Sequence, residues 1–128
     1  MYPRPIALGL TLCDNAIVER ETNKISLIGQ IQRFQCKEFP AVVAPYWLAA
    51  TLTGSMGTGM CRFELVDVGT LDSIKAFDRR IRLADRFRET QLLFRISHCT
   101  LPADGWYNWQ LSVDGEIVAE RRVLAQLR

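Results

Sequence analysis

The chain of 128 residues carries 16 Lys and Arg against 14 Asp and Glu, a formal net charge of +2, with 48% hydrophobic and 23% charged residues. This length and composition fit one globular domain over residues 1–128 that buries roughly two-thirds of its unfolded surface, and they exclude a disordered chain. The charge balance is too mild to define a polyanion-binding protein from totals alone, and no stretch approaches the ~20 apolar residues of a membrane-spanning helix.

The first segment, MYPRPIALGLTLC, superficially imitates a lipoprotein signal, but Leu12 precedes Cys13 where cleavage requires a small residue. Large Ile6, Leu8, Leu10 and Leu12 alternate instead with small Ala7, Gly9 and Thr11, the period of a strand. Its large face is expected on the core, and its small face in close contact with another backbone. A cytoplasmic protein with reduced Cys13, Cys36, Cys61 and Cys99 is the expectation that follows. IVERETNKIS reads as strand, polar turn and strand, and KISLIGQIQRF continues the alternation. Residues 36–45 hold two prolines and form a connection, since proline cannot donate to a central ladder.

YWLAATLT and CRFELVDV flank TGSMGTGMC, whose Gly54, Gly57 and Gly59 raise the question of a phosphate cradle. A phosphate loop needs a following Lys-Ser/Thr pair and a helix to face the anion. Neither is present, so the stretch is expected to be a hairpin tip. IKAFDRRIRL sets Phe77, Ile81 and Leu83 against Asp78, Arg80 and Arg82, and QLLFRISHC sets Leu92, Phe94 and Ile96 against Arg95 and Ser97. Asp114-Gly115 between two alternating runs is the strongest short-range hairpin signal in the chain. No window carries a capped 3.6-residue period. The expected fold is an all-β antiparallel β-sandwich of about eight strands, Greek-key in topology, with little or no helix.

Three stretches together resemble a known family: LCDNAIVERETNKISLIGQI, FPAVV, and ADGWYNWQLSVDGEIVAERRV. The chain from about Ala7 to about Leu124 is similar to a bacterial family of short, uncharacterised β-sandwich proteins, a domain of unknown function. The motifs that carry the likeness are Gly29, Phe39-Pro40, Gly105, Tyr107 and Asp114-Gly115, while residues 71–88 depart from it. The resemblance implies the fold and a bacterial cytoplasmic origin, and it implies no active site.

No catalytic, cofactor-binding or metal constellation is apparent in the sequence. His98, the single histidine, adjoins Cys99, but strand neighbours point to opposite faces and cannot pair as nucleophile and base. Parity places His98 with Leu92, Phe94 and Ile96, as a buried structural histidine. A metal site built from Cys13, Cys36, Cys61, Cys99 and His98 would need distant segments to converge, because none of them stand at ligand-pair spacing. Asp67, Asp72, Asp78 and Asp85 are scattered singly, without a calcium loop.

Residues 78–89, DRRIRLADRFRE, present Arg79, Arg80, Arg82, Arg86 and Arg88 as a polyanion contact with Phe77 and Phe87 interleaved. The competing reading is a solvated face whose arginines pair with Asp78, Asp85 and Glu89. In GWYNWQL, Tyr107, Trp109 and Leu111 share the core parity, and Asp104-x-x-Tyr107 reads as a tyrosine corner. Trp106, and with it Trp47, is left as an interface aromatic.

The sequence therefore points to a non-catalytic cytoplasmic interaction module, a homodimer or the binder of another protein, with no cofactor. Two alternatives stay open. One is a small-molecule or nucleic-acid binder using the arginine strand; the other is an enzyme whose site assembles only in three dimensions.

Overall fold

A computed structural model describes residues 1–128 and contains eleven strands and no helix. They are β1 (Ile6–Val18), β2 (Ile25–Gln30), β3 (Arg33–Cys36), β4 (Ala41–Val42), β5 (Tyr46–Thr53), β6 (Gly57–Asp67), β7 (Ser73–Leu83), β8 (Thr90–Ile96), β9 (Thr100–Leu101), β10 (Gly105–Val113) and β11 (Glu116–Leu127). A four-stranded sheet runs β2-β1-β5-β8 and a five-stranded sheet β3-β11-β10-β6-β7, while β4 and β9 form a small pair of their own. The excess over about eight strands comes from β3, β4 and β9, which are too short for an alternating pattern to register. No helix is long and apolar enough to cross a membrane.

The two larger sheets pack face to face over one core. Leu10, Leu12, Leu48, Leu52 and Ile96 of the four-stranded sheet meet Phe63, Leu65, Trp109, Leu111 and Val123 of the other. Along β6 the buried Cys61, Phe63 and Leu65 alternate with Met60, Arg62 and Glu64, which reach solvent, as the pleat requires. Asp114 and Gly115 both take positive φ, 49° and 87°, and close the β10–β11 hairpin. The Asp114 carboxylate also accepts the Met60 N–H at 2.9 Å, tying the hairpin tip to β6. At the other end of β10 the Tyr107 hydroxyl donates to the Ala103 carbonyl at 2.6 Å, the tyrosine corner expected there.

Four local expectations are corrected. The sheets are not wholly antiparallel, because β3 joins β11 in parallel. The glycine stretch is not a hairpin tip: β5 and β6 belong to different sheets, so residues 54–56 cross the edge of the sandwich and Gly59 lies inside β6. In β1 the register shifts between Ala7 and Gly9. That bulge turns the phase over, so Leu10 and Leu12 are buried while Ile6 and Leu8 are exposed. A Cβ placed on Gly9 would meet nothing within 4 Å, so no second backbone lies against the small face. Finally, His98 follows the end of β8 with φ 55° and is exposed, because strand alternation stops at Ile96.

Candidate functional site

β7 is the last strand of the five-stranded sheet and β8 the last of the four-stranded sheet, and neither has a second partner. One flank of the sandwich is therefore an open seam between two free edges. Inside it, Phe63 stacks on its cross-strand partner Phe77 at 5.1 Å, and Phe94 sits 4.9 Å from Phe63 and 5.2 Å from Phe77. These rings fill the seam but do not close it. Phe77 and Phe94 remain half-buried, and the Arg79 guanidinium lies over both at 5.1 and 5.6 Å from their centroids. A cation held against aromatic faces keeps its charge toward solvent while its stem covers apolar surface.

The groove beside this cluster has a volume of about 380 Å³. It wraps the free edge of β8. Phe94 lies on the inner side, and Trp47 and Arg95, cross-strand neighbours in the β5–β8 pairing, lie on the outer side. Lys75 and Arg79 reach it from β7. Three cations and no carboxylate line the groove.

The surrounding charges strengthen that asymmetry. Asp78 is held by Arg62 at 3.3 Å, and Asp85 by Arg88 at 3.8 Å. Lys75, Arg79, Arg80, Arg82, Arg86 and Arg95 pair with no carboxylate. Of the five arginines read as a polyanion contact, only Arg88 is in an ion pair; the other four are exposed and no carboxylate of the segment neutralises them.

The run divides in space. Arg79 enters the groove, Arg80 and Arg82 face outward on β7, and Arg86 and Arg88 lie in the connection 84–89, where Arg86 covers the exposed Phe87 ring at 5.2 Å. The Gly54 N–H donates to the Arg86 carbonyl and the Thr53 hydroxyl to the Arg88 carbonyl, and both bonds fasten that connection to the crossover. Trp47 belongs to the groove. Trp106 does not: it is half-exposed on β10, paired with Leu124 of β11. Lys75, Phe94 and Arg95 were absent from the site predicted by sequence, because only the pairing of β5 with β8 and the apposition of two edges bring them to it.

A second concavity, of about 470 Å³, lies on the opposite edge of the five-stranded sheet. The chain from β3 through β4 to the start of β5 encloses it, over a floor of Phe34 and Tyr46 whose rings are 5.2 Å apart. The Tyr46 hydroxyl accepts the Trp109 indole N–H at 3.1 Å and meets the Cys99 thiol at 3.7 Å. Burial raises the Tyr46 hydroxyl well above its ordinary value, with the adjacent Cys99 adding to it.

The four cysteines are free, buried and separate, and no three Cys, His, Asp or Glu side chains gather to hold a metal ion. Burial pushes the Cys61 thiol up to about 11, helped by Asp114, and raises Cys13, Cys36 and Cys99 as well. A thiol held protonated is a poor nucleophile.

These features define a β-sandwich with a cationic, aromatic, open seam. The chain belongs to a family of unknown function, DUF6941, whose model matches residues 8–125. No curated protein sequence matches it. Among solved structures it is similar to the Pseudomonas fluorescens alkylpurine DNA glycosylase AlkC bound to DNA containing an abasic site analog. The TM-score is 0.60 at 10% identity, over 96% of this chain and 30% of that one. The chain thus spans less than a third of that enzyme, and the likeness is one of fold.

Proposed function

We propose that this chain is a non-catalytic binding module whose working surface is the β7/β8 seam, and that its ligand is a single-stranded nucleic acid. The observation that carries this reading is the set of three cations without carboxylate partners, Lys75, Arg79 and Arg95, that line the groove beside Trp47, Phe77 and Phe94, with unpaired Arg80, Arg82 and Arg86 on the same flank. Guanidinium groups take phosphate oxygens in bidentate fashion, and half-buried rings offer stacking faces that tolerate any base. A neutral partner would leave that charge unused. The fold neighbour is a glycosylase bound to DNA, which makes DNA the natural first probe.

The test is fluorescence anisotropy of labelled single-stranded DNA and RNA of about ten nucleotides, titrated from about 50 to about 200 mM salt. Affinity should fall with salt by a log–log slope of about −0.7 for each phosphate engaged. Arg79→Gln with Arg95→Gln should weaken binding at least about tenfold, since each charge-assisted bond contributes about 1.5–3 kcal/mol. Binding that ignores salt, or survives the double substitution, would remove the proposal.

Self-association is a second reading, carried by Trp106. It is half-exposed beside Leu124 on the outer face of the five-stranded sheet, away from the arginines. Like charges along β7 oppose pairing of two copies through the seam. Native mass spectrometry should therefore show a dimer that Trp106→Ala dissociates and Arg79→Gln does not.

A further inference from the structure

We infer that the slot between β3 and β4 is a second binding site, one that takes an extended peptide segment by strand addition. Its walls are backbone. β3 is bonded to β11 through Leu124 N–H to Gln32 O at 3.2 Å and Arg128 N–H to Cys36 O at 2.8 Å. Bonding residues alternate along a parallel strand, so the N–H and C=O of Arg33 and Gln35 point away from β11, and β3 has no other neighbour. Across the slot, β4 pairs only with β9, and Val43 N–H donates to Cys99 O at 3.1 Å. The same alternation directs the N–H and C=O of Val42 away from β9, and the Val42 side chain is 71% exposed.

Two strands joined by the connection 37–40 thus present free edges to the same cavity without pairing with each other. An extended backbone is the ligand that satisfies such edges, and alternate side chains specify it. β3 has four residues, which at about 3.3 Å each give a track of about 13 Å. Every second side chain of the occupant would rest on the Phe34 and Tyr46 floor.

Charge separates this site from the seam. Arg33 and Lys37 stand at the slot with Asp14 and Glu38, and none of the four is in an ion pair. A polyanion would meet two carboxylates there, whereas a peptide carrying both signs complements the set.

The experiment selects displayed random peptides of about seven residues against the full chain and measures the enriched ones by calorimetry. Gln35→Pro removes a slot-facing N–H and leaves the ladder to β11 intact, so it should weaken those peptides about tenfold. Oligonucleotide binding should be unchanged in the same variant, which keeps the slot distinguishable from the seam. Amide hydrogen exchange on the unsubstituted protein reads the site without a mutation: the Gln35 and Val42 amides should slow when peptide binds. The inference is overturned if no peptide is enriched. It is overturned equally if enriched peptides bind Gln35→Pro as well as the parent, or leave both amides unprotected.

Discussion

The seam and the slot are both bounded by free strand edges, yet they are built to opposite rules. Three cations without a carboxylate partner line the seam, Arg79 over its half-buried rings, and further unpaired arginines along β7 discourage any second strand from adding there. Around the slot two cations and two carboxylates balance, and short β3 and β4 turn their unpaired backbone groups toward a shared concavity. An open edge alone does not say what it binds. The side chains that flank it decide whether the backbone is offered or shielded.

The two regions also share a support. Trp109 is fully buried, its indole N–H holds the Tyr46 hydroxyl under the slot, and its ring lies 6.3 Å from Phe77 under the seam. Trp109→Ala should therefore give the largest loss, about 3–5 kcal/mol in urea unfolding, and loosen both concavities together. Retention of oligonucleotide affinity at low denaturant would show that the seam stands independently of this residue.

Alkaline pH separates them next. Folding favours the protonated form of Cys61, whose pKa rises from 9.0 to about 11, and the other thiols, Tyr46 and Tyr107 shift the same way. The unfolded chain releases these protons first, so stability is fully present below about pH 8.5 and falls as pH rises toward 11. Cys61 alone contributes about 2 kcal/mol to that fall by pH 11. Urea midpoints across this range should decline, and Cys61→Ala should flatten the decline. Arginine stays charged throughout, so seam affinity should hold wherever the chain remains folded.

How much of this was legible in the sequence depended on the range of the interaction. The Asp114-Gly115 turn, the Tyr107 corner and the inward Phe63 and Trp109 follow from neighbours in the chain, and the alternation that marks them is a local property. The phase of β1 was lost at a one-residue bulge, which period counting reads through. The arginine run was visible, but its fate depended on Arg62, sixteen positions from Asp78 and across the β6–β7 ladder, capturing the carboxylate that the run appeared to supply for itself. The slot was invisible. It is made by the parallel pairing of β3 with β11 and by a β4–β9 pair of two residues each, and neither leaves a periodic trace.

A subtler substitution acts on the slot side alone. Tyr46→Phe keeps the ring that floors the slot but removes the acceptor of the buried Trp109 N–H, which costs about 1–3 kcal/mol. Thermal unfolding should register the loss while oligonucleotide affinity stays at the parent value. Equal loss at the seam would mean that the two regions respond as one body even to a single missing hydrogen bond.

The smallest effect on stability should carry the most information about the seam. Arg62 is half-exposed and bridges Glu64 and Asp78 at 3.7 and 3.3 Å, so Arg62→Ala should change stability by less than about 1 kcal/mol. It frees the Asp78 carboxylate, which directly precedes Arg79 and Arg80 in the chain, and it removes one positive charge from the same flank. If the unpaired cations are what hold a nucleic acid, affinity should drop several-fold and the salt slope should shallow, though Arg62 itself lies outside the groove. If affinity is untouched, the field of the flank is irrelevant and only the groove residues matter. Adding Asp78→Asn to Arg62→Ala should then restore binding in the first case and change nothing in the second. That pair of measurements distinguishes a cationic surface from a cationic pocket.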